Sequence, residues 1–515
     1  MRRLDPPTPA PMTSLAAMLT LVALAGCATS SLDMAPERPD RPWQPNTDAS
    51  GAIRPGAPVL ASAYQNRGTY RLPANPALAN VSPPPPLEQD HAYTLPELID
   101  LAQTSNPATR IAWNNARNAA LVAGVAKSAY LPQLSLAAMG QYAAAHNSTS
   151  SVLGDSSASA STHGLTSVVA LQWLLFDIGG RAARVEAASQ ASVVANIGFT
   201  AAHQQVVYDV SVAFYTYQAV RARMVTAEQG LENAGAAAEA ARSRYRRGIG
   251  TVIEVAQANQ NYAQAKLALV QAQGAQSNTY LTLISALGIS PLSKPKIADM
   301  PVHALSPALR QPVEQIVATA IARRPDVLSA YAAERANLAK IQAAESDFKP
   351  KVFLSASGVY NTGNASLSAV PAIGQQLPTV NLSGGRYGGS VIIGVSIPLY
   401  DGGLRSAALA QARNDADSAS TRLERSREEA VRQVVGAQNM LQTSLSAHEA
   451  AKALMAAALT TYDAAFDAYK HGVGSITDAL LAQNQLLAAR NAYADSYSNA
   501  LSAAASLALA TGAID

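Results

Sequence analysis

The sequence predicts a mixed α/β membrane protein in which several copies share one β-barrel that is continued by a long α-helical barrel. Three observations predict this class. The same series of motifs runs twice along the 515 residues. Each copy contains two segments with the period-two pattern of a strand, and each continues into an unusually long helical pattern.

Small side chains dominate the composition. Hydrophobic residues make up 49% of the chain, yet aromatic residues are only 5% and charged residues 14%. A chain rich in Ala, Ser, Leu and Gln suits long, closely packed helices better than a bulky core. The formal net charge of +3 is too small to indicate a nucleic-acid partner.

The first residues have the features of an export signal. Arg2 and Arg3 precede an apolar run from Leu15 to Gly26, which is too short for a membrane helix but typical of a signal peptide. The run ends at Cys27 in a Leu-Ala-Gly-Cys sequence that resembles the lipobox of bacterial lipoproteins, whose cysteine is acylated and begins the mature chain. We therefore expect a signal peptide over 1–26 and a covalent lipid on Cys27. The alternative is a buried thiol.

A Pro-rich stretch follows the cysteine. Residues 28–90 show no periodicity and include four consecutive prolines at 83–86, so we expect an extended tether over 27–92. The helical pattern begins at Thr94, a suitable N-cap, because Pro96 comes early in the helix and Glu97 stands at the third position.

Three pairs of motifs occur in the same order in both halves of the chain. The first pair spaces two prolines equally (132 − 107 = 25 and 350 − 325 = 25), and the other pairs share one offset (401 − 177 = 224 and 474 − 250 = 224). This order indicates a tandem duplication, with repeats over 93–305 and 306–515. The pairs are Asn106-Pro107 to Pro132 with Arg324-Pro325 to Pro350, Phe176–Gly180 with Tyr400–Gly403, and Tyr245–Thr251 with Tyr469–Ser475.

Each half contains two strand-like segments around a polar loop. The strands are predicted over Gln133–Ala144 and Thr166–Phe176 in the first half, and over Lys351–Tyr360 and about 391–399 in the second. Lengths near ten residues fit strands that cross a membrane in a barrel. In the last strand, one alternating set is uniformly apolar: Val391, Ile393, Val395, Ile397 and Leu399.

The loops and the aromatic residues agree with this interpretation. The predicted loops, His146–Gly164 and Asn361–Gly385, are polar and rich in Ser, Asn and Gly, as suits the outer side of a barrel. Aromatic residues concentrate at the strands and predict an interfacial girdle, with an ordinary soluble hairpin as the alternative. These residues are Trp173, Phe176, Phe348, Phe353, Tyr387 and Tyr400.

Four strands cannot close a barrel around a pore. An open sheet cannot lie in lipid, because the hydrogen-bonding groups along its edges would be unpaired. The membrane interpretation therefore requires that several chains pool their strands.

A very long helical pattern follows each Gly-Gly pair. These patterns run from about Arg181 to Arg247 and from about Leu404 to Lys470. At 1.5 Å per residue, each helix would be roughly 100 Å long. Each ends at a Gly-x-Gly turn and returns, over Val252–Leu287 and Ile476–Leu509, so the two antiparallel pairs are expected to form the wall of a tube.

In this order the motifs resemble the bacterial outer-membrane factor family, the TolC-type ducts, and its lipoprotein branch in tripartite efflux systems. The resemblance covers about residues 93–510. It depends on Cys27 in its lipobox, on Arg323-Arg324-Pro325-Asp326, on the paired turns after Asp177 and Asp401 that each contain Gly-Gly, and on the Gly-x-Gly tips. It implies a homotrimer in which each chain contributes four strands to one barrel in the outer membrane, with a helical tunnel through the periplasm.

The resemblance also implies a function and partners. We expect passive efflux of drugs, toxic compounds or metals, in contact with a periplasmic adaptor and, through the adaptor, with an inner-membrane pump. A duct for type I protein secretion would have the same body, and a structural trimeric adhesin is an alternative from another class. The lipid anchor favours small-molecule efflux.

The resemblance places the adaptor contact at the two helical tips, while the alternative is a pair of plain hairpin turns. Their glycines allow the backbone to reverse tightly. The candidate docking residues are Arg244, Arg247, Gly248, Gly250 and Thr251 in the first tip, and Gly472, Gly474 and Ser475 in the second.

Glu254 and Asp478 occupy equivalent positions one turn beyond the tips (478 − 254 = 224). In a trimer they would supply a ring of carboxylates that attracts cations and acts as a gate or selectivity element. The alternative is that each acid only stabilises the N-terminus of its helix.

The sequence gives little support to an enzyme. The seven His residues are scattered without metal-ligand spacing, and no Walker A loop or Gly-x-Ser-x-Gly motif occurs. We expect no cofactor apart from the lipid on Cys27, and no metal site.

Overall fold

The computed structural model describes residues 34–35, 39, 45–55, 72–79, 87–88, 90–151, 154–301, 313–370 and 380–514. Cys27, the expected signal peptide and most of the expected tether lie outside these residues. The chain divides into two compact units, 1–84 and 85–515. In the first unit, Asn46–Thr47 pairs antiparallel with Ile53–Arg54, and a short 3-10 turn covers Pro76–Ala79.

The second unit carries both repeats, and each repeat has the same series of elements. The first repeat comprises α1 (Leu95–Ser105), α2 (Pro107–Ser128), β1 (Gln133–Ser151), β2 (Gly154–Phe176), α3 (Gly180–Arg246) and α4 (Val252–Leu287). The second comprises α5 (Val313–Ile321), α6 (Pro325–Ser346), β3 (Lys351–Val370), β4 (Val380–Ser396), α7 (Leu404–His471) and α8 (Ile476–Ala510). The long helices α3 and α7 have 67 and 68 residues.

The helices begin where the sequence predicts. The Thr94 backbone N–H donates to the Glu97 carboxylate at 2.7 Å, as expected of a capping box at α1. Asn106 caps α2 by accepting from the Ala108 N–H at 2.9 Å, and its amide also donates to the Ala286 carbonyl at 3.0 Å. One side chain therefore starts α2 and attaches it to the end of α4.

Small residues line the contacts between the long helices. α3 packs along α4 and α8, and α7 packs along α8, so the two helical hairpins lie side by side. Alanine allows the backbones to approach closely. The fully buried contact residues include Ala234, Ala241, Ala258 and Ala503, whereas a bulkier cluster of Leu98, Val210, Phe214, Leu283, Ile284 and Leu287 fixes α1 against α3 and α4.

One antiparallel sheet in the order β1-β2-β3-β4 contains all four long strands. The β2–β3 pair joins the two repeats, with Val168 opposite Val359. Within the described part of one chain, the outer edges of β1 and β4 have no strand partner. None of the helices in the described ranges combines the length and apolar character that a bilayer crossing requires.

The strands are longer than the sequence predicted. They contain 19, 23, 20 and 17 residues, and most of the two predicted loops continues as paired strand. Ser, Thr and Asn residues permit this extension because their backbone groups form the same hydrogen-bond ladder as those of apolar residues. In addition, the Ser161 and Ser366 hydroxyls bond each other across β2 and β3 at 2.6 Å. Ile397 and Leu399 were wrongly included, since β4 ends before Pro398, which has no N–H for a ladder.

The register separates the sheet into two unlike faces. One face carries an apolar belt, made by the alternate residues that pair with one another across the strands. The other face mixes polar, small and apolar residues. The belt comprises Leu134, Leu136, Val169, Leu171, Trp173, Leu354, Val391, Ile393 and Val395, and it ends at the Tyr360–Tyr387 pair.

Two residues of the expected aromatic girdle lie elsewhere. Phe353 pairs with Gly394 on the other face, where its ring covers the glycine, so it is not part of the girdle. Phe348 precedes β3 and lies under the Arg405 guanidinium, 5.8 Å from its ring centre. Phe176 stays on the belt side, because a bulge after Leu174 places it opposite Val352.

A buried ion pair joins the sheet to the long helix of the first repeat. The Asp177 carboxylate accepts from the Arg181 backbone N–H at 2.6 Å and lies 3.4 Å from the Arg181 guanidinium. That guanidinium also donates to the Leu174 and Leu175 carbonyls, at 2.5 and 2.9 Å. The equivalent pair, Asp401 and Arg405, is more exposed.

We expect Asp177→Ala to destabilise the assembled protein by about 3 kcal/mol per chain, because it leaves a buried guanidinium without its carboxylate. The matched variant Asp401→Ala should lose only about 1 kcal/mol, since its partner reaches solvent. The measurement is the temperature at which detergent-resistant oligomers dissociate. Equal shifts in the two variants would show that burial of the pair does not decide its contribution.

Candidate functional site

The two helical tips lie next to each other at the ends of α3–α4 and α7–α8. In each tip the first glycine takes a left-handed conformation, with φ of 76° at Gly248 and 83° at Gly472. This conformation reverses the chain after the long helix. The sequence predicted this role for the tip glycines as a group.

The second glycine of each tip has a different role. Neither Gly250 nor Gly474 has a positive φ. A Cβ at Gly250 would lie 2.9 Å from the Tyr245 backbone nitrogen, and a Cβ at Gly474 would lie 3.0 Å from the Ala468 Cβ. These two positions require glycine because the returning chain passes close to the end of the helix.

A hydroxyl begins each returning helix. Thr251 accepts from the Glu254 backbone N–H at 3.2 Å, and Ser475 accepts from the Asp478 N–H at 3.1 Å. Both acids therefore stand in the first turn of a helix, where the macrodipole favours negative charge. The alternative that each acid only stabilises the N-terminus of its helix is compatible with this geometry.

The two acids nevertheless have unlike surroundings. The Glu254 carboxylate lies 3.8 Å from the Arg244 Nε and accepts from the Tyr469 hydroxyl at 3.4 Å. The Arg244 guanidinium also stacks over the Tyr469 ring at 5.1 Å and donates to the Tyr469 carbonyl at 3.3 Å. We call these three residues, Arg244, Glu254 and Tyr469, the tip cluster; it joins the first tip to the end of α7.

Asp478 is exposed and bonds only locally, accepting from the Ser475 hydroxyl at 2.7 Å. Tyr469 is 1% exposed and packs against Ile476 and Ala479. Burial raises the pKa of the Tyr469 phenol, and the neighbouring Glu254 charge raises this pKa further. The phenol therefore stays protonated and able to donate at neutral pH.

The remaining predicted tip residues are arranged around this cluster. Arg247 and Thr251 are exposed at the turn, and Arg247 donates to the Ser243 carbonyl at 3.4 Å. A group of exposed apolar residues on the same tips was not predicted from the sequence. Its signal in the sequence is the presence of large aliphatic residues in a turn. They are Ile249, Val252, Ile253 and Val473, and Val473 is 83% exposed.

Possible metal ligands do not come together in the part of the chain that the structure describes. Among the described residues, no group of three or more His, Cys, Asp or Glu side chains is arranged to hold an ion. The tips themselves present charged and apolar groups.

Taken together, a sheet with one apolar face and long helical hairpins that end in a charged tip define a subunit of a membrane channel. The family model described as outer membrane efflux protein matches residues 98–289 and 316–513, one match in each repeat. The chain belongs to this family.

Individual relatives and solved structures are consistent with this family. The chain is similar to Protein CyaE of Bordetella pertussis (strain Tohama I), with 28% identity over 407 residues that cover 79% of this chain and 81% of that protein. It is 26% identical over 394 residues to Outer membrane efflux protein BepC of Brucella suis biovar 1, covering 75% and 78%. Among solved structures, the outer membrane protein VceC from Vibrio cholerae has a TM-score of 0.64 at 20% identity, covering 81% of this chain and 96% of that one.

These comparisons confirm the predicted outer-membrane factor family, the fold class and the outer-membrane location, while the lipoprotein branch and the lipid on Cys27 stay predictions. The chain is an outer-membrane efflux channel subunit whose fold is a four-strand contribution to a shared barrel, continued by long helices. The family is one of efflux ducts and not of enzymes, and its members form trimers that work with adaptor and pump partners. The adhesin alternative is wrong.

We expect the double variant Gly250→Ala/Gly474→Ala to lose most efflux activity, because each added Cβ meets atoms at 3.0 Å or closer and displaces the tip. The measurement is survival in the presence of pump substrates, with the amount of assembled trimer measured alongside. The matched control is Gly274→Ala in α4, where a Cβ meets no atom within 4 Å and full activity is expected. Normal efflux in the double variant would count against a role of the tip conformation.

Proposed function

We propose that this chain is the exit duct of a tripartite efflux pump, a homotrimer that passively conducts drugs, toxic compounds or metals from the periplasm to the exterior. The observation that carries this proposal is the sheet. It presents an apolar belt on one face and has unpaired edges at β1 and β4. Lipid can accept such a sheet only as part of a closed barrel. Three copies supply twelve strands, enough for an open lumen.

The direction of the duct follows from the connections. Each strand pair joins its helices at the same end, through Asp177 and Asp401, and the long helices carry the tips away from the sheet. A helix of 67 residues spans about 100 Å. The tips are therefore the part of the protomer best placed to meet an adaptor that stands on an inner-membrane pump.

The surface of the tips supports an adaptor contact. Exposed Ile249, Ile253 and Val473 give an apolar centre, and Arg247 supplies a positive charge beside it. Apolar centres with charged rims are typical of protein interfaces. We place the docking surface on these residues together with the previously predicted Arg244, Gly248, Gly250, Thr251, Gly472, Gly474 and Ser475.

A lipid on Cys27 completes the proposal, because it would hold the chain at the outer membrane while the barrel assembles. Metabolic labelling with a fatty-acid analogue should mark the wild-type protein and leave a Cys27→Ser variant unmarked. Equal labelling of the two proteins would contradict the lipid anchor.

The central test is a deletion strain complemented with the wild-type gene. We expect the deletion to increase sensitivity to detergents, dyes or metal ions, and complementation to restore resistance. The Gly274→Ala gene should also restore it, whereas the Gly250→Ala/Gly474→Ala gene should not. Unchanged sensitivity combined with loss of one secreted protein would favour the type I secretion duct instead.

The tip cluster is proposed as the element that holds the duct closed. Glu254 binds Arg244, whose side chain is 13% exposed, and both bind Tyr469 on the neighbouring hairpin. To widen the tips, the two hairpins must separate and these contacts must break. Asp478 faces solvent, so it is the acid of the predicted pair that can act on passing ions.

The two acids should therefore give different phenotypes in reconstituted trimers. Glu254→Gln should raise the open probability about fivefold, corresponding to about 1 kcal/mol for a partly exposed pair. Asp478→Asn should leave the open probability unchanged and lower the ratio of cation to anion permeability on the order of threefold, the effect of a potential of about one kT. Single-channel recording separates the two quantities. Identical effects of both variants would contradict this division of roles.

A further inference from the structure

Arg386 occupies an unusual position on the sheet. It lies on β4 opposite Asn361, on the face that does not carry the apolar belt. It stands ten residues from the helix-proximal end of β4 (396 − 386 = 10), which corresponds to about 30 Å of strand. Its neighbour Tyr387 marks the far end of the belt on the opposite face. In a barrel, Arg386 therefore faces the lumen close to the outer mouth.

The described strands offer this arginine no carboxylate on the lumen face. In the described strands the charged residues are Asp155, Lys351 and Arg386. Asp155 pairs with Ser150, and both belong to the alternate set of residues that forms the apolar belt. Asp155 therefore lies on the face opposite to that of Arg386. Lys351 donates to the Asp347 carboxylate at 2.7 Å, so its charge is balanced at the helical end.

The surroundings leave the guanidinium unobstructed. Glycines stand on both sides of it along the strand, at Gly384 and Gly388, and a Cβ at either position would meet no atom within 4 Å. Arg386 itself is exposed. The sequence between β3 and β4, residues 371–379, contains no charged residue. No acidic side chain of this hairpin is available to cancel the positive charge.

We propose that three Arg386 side chains form a guanidinium ring at the outer mouth of the lumen, which selects for anions and transiently binds carboxylate, phosphate or sulfonate groups of outgoing solutes. This proposal rests on the trimeric duct proposed above. Rings of Arg or Lys favour anions in pores because their field is concentrated between walls of low dielectric constant. Arginine also binds such oxyanions with two parallel hydrogen bonds.

The test is a charge series at this position, measured as the reversal potential of reconstituted trimers in a potassium chloride gradient. Arg386→Gln should lower the ratio of chloride to potassium permeability on the order of threefold, and Arg386→Glu should lower it further. Arg386→Lys should retain the wild-type ratio. The effect should grow at low ionic strength, where screening is weaker. The matched control is Tyr387→Gln, the adjacent residue on the opposite face, which should leave the ratio unchanged.

A second measurement uses inorganic tripolyphosphate added on the exterior side. It should block the wild-type channel, and Arg386→Gln should need a concentration on the order of tenfold higher for the same block, equivalent to about 1.4 kcal/mol. If wild-type tips stay closed, the same series is recorded in the Glu254→Gln background. If all members of the series form conducting trimers with the same permeability ratio and the same blocking concentration, the proposed guanidinium ring is contradicted. Failure to form conducting trimers at all would instead contradict the proposed duct.

Discussion

The unpaired edges of one sheet determine the architecture of this protein. Among the described residues of one chain, no strand pairs with the outer edges of β1 and β4, and the belt between them is too apolar to face water. In lipid each unpaired backbone group is costly, so the edges must meet other edges. A closed barrel made from several copies gives every strand a hydrogen-bonding partner on both sides. The helices then follow the same rotational symmetry, and the lumen and any ring of side chains exist only in the assembly.

The duplication supplies two similar hairpins, but the two copies have diverged where they perform different tasks. In the first repeat the strand–helix joint is buried at Asp177, while the equivalent Asp401 is more exposed. At the tips, Glu254 is held in a cluster with Arg244 and Tyr469, while Asp478 remains free toward solvent. Sequence equivalence therefore predicts position in the fold, and the neighbours decide the function of each copy.

Much of the fold could be predicted from the sequence because its signals are local and repeated. The prolines at 107 and 325, the Gly-Gly pairs and the Gly-x-Gly turns mark helix ends in both halves, and the observed bounds follow them closely. Strand length was underestimated because Ser, Thr and Asn at 146–164 and 361–385 are typical of loops, whereas the described residues of both stretches continue the ladder. The face on which Phe353 lies depends on the pairing register, and the face of Phe176 depends on one bulge. The pattern of a single strand shows neither feature.

The candidate site was predicted less completely. The offset of 224 residues located both acids and both tips, but the contact between Glu254 and Tyr469 joins residues from different repeats, and only packing shows it. The exposed aliphatic residues at 249, 253 and 473 were visible in the sequence but had no meaning until the turns were placed.

The claim that several copies complete one barrel is tested most directly by native mass spectrometry of the protein released from detergent. We expect a single species of three chains, with slow amide hydrogen exchange along the outer edges of β1 and β4. A folded monomer whose edge amides exchange rapidly would contradict it.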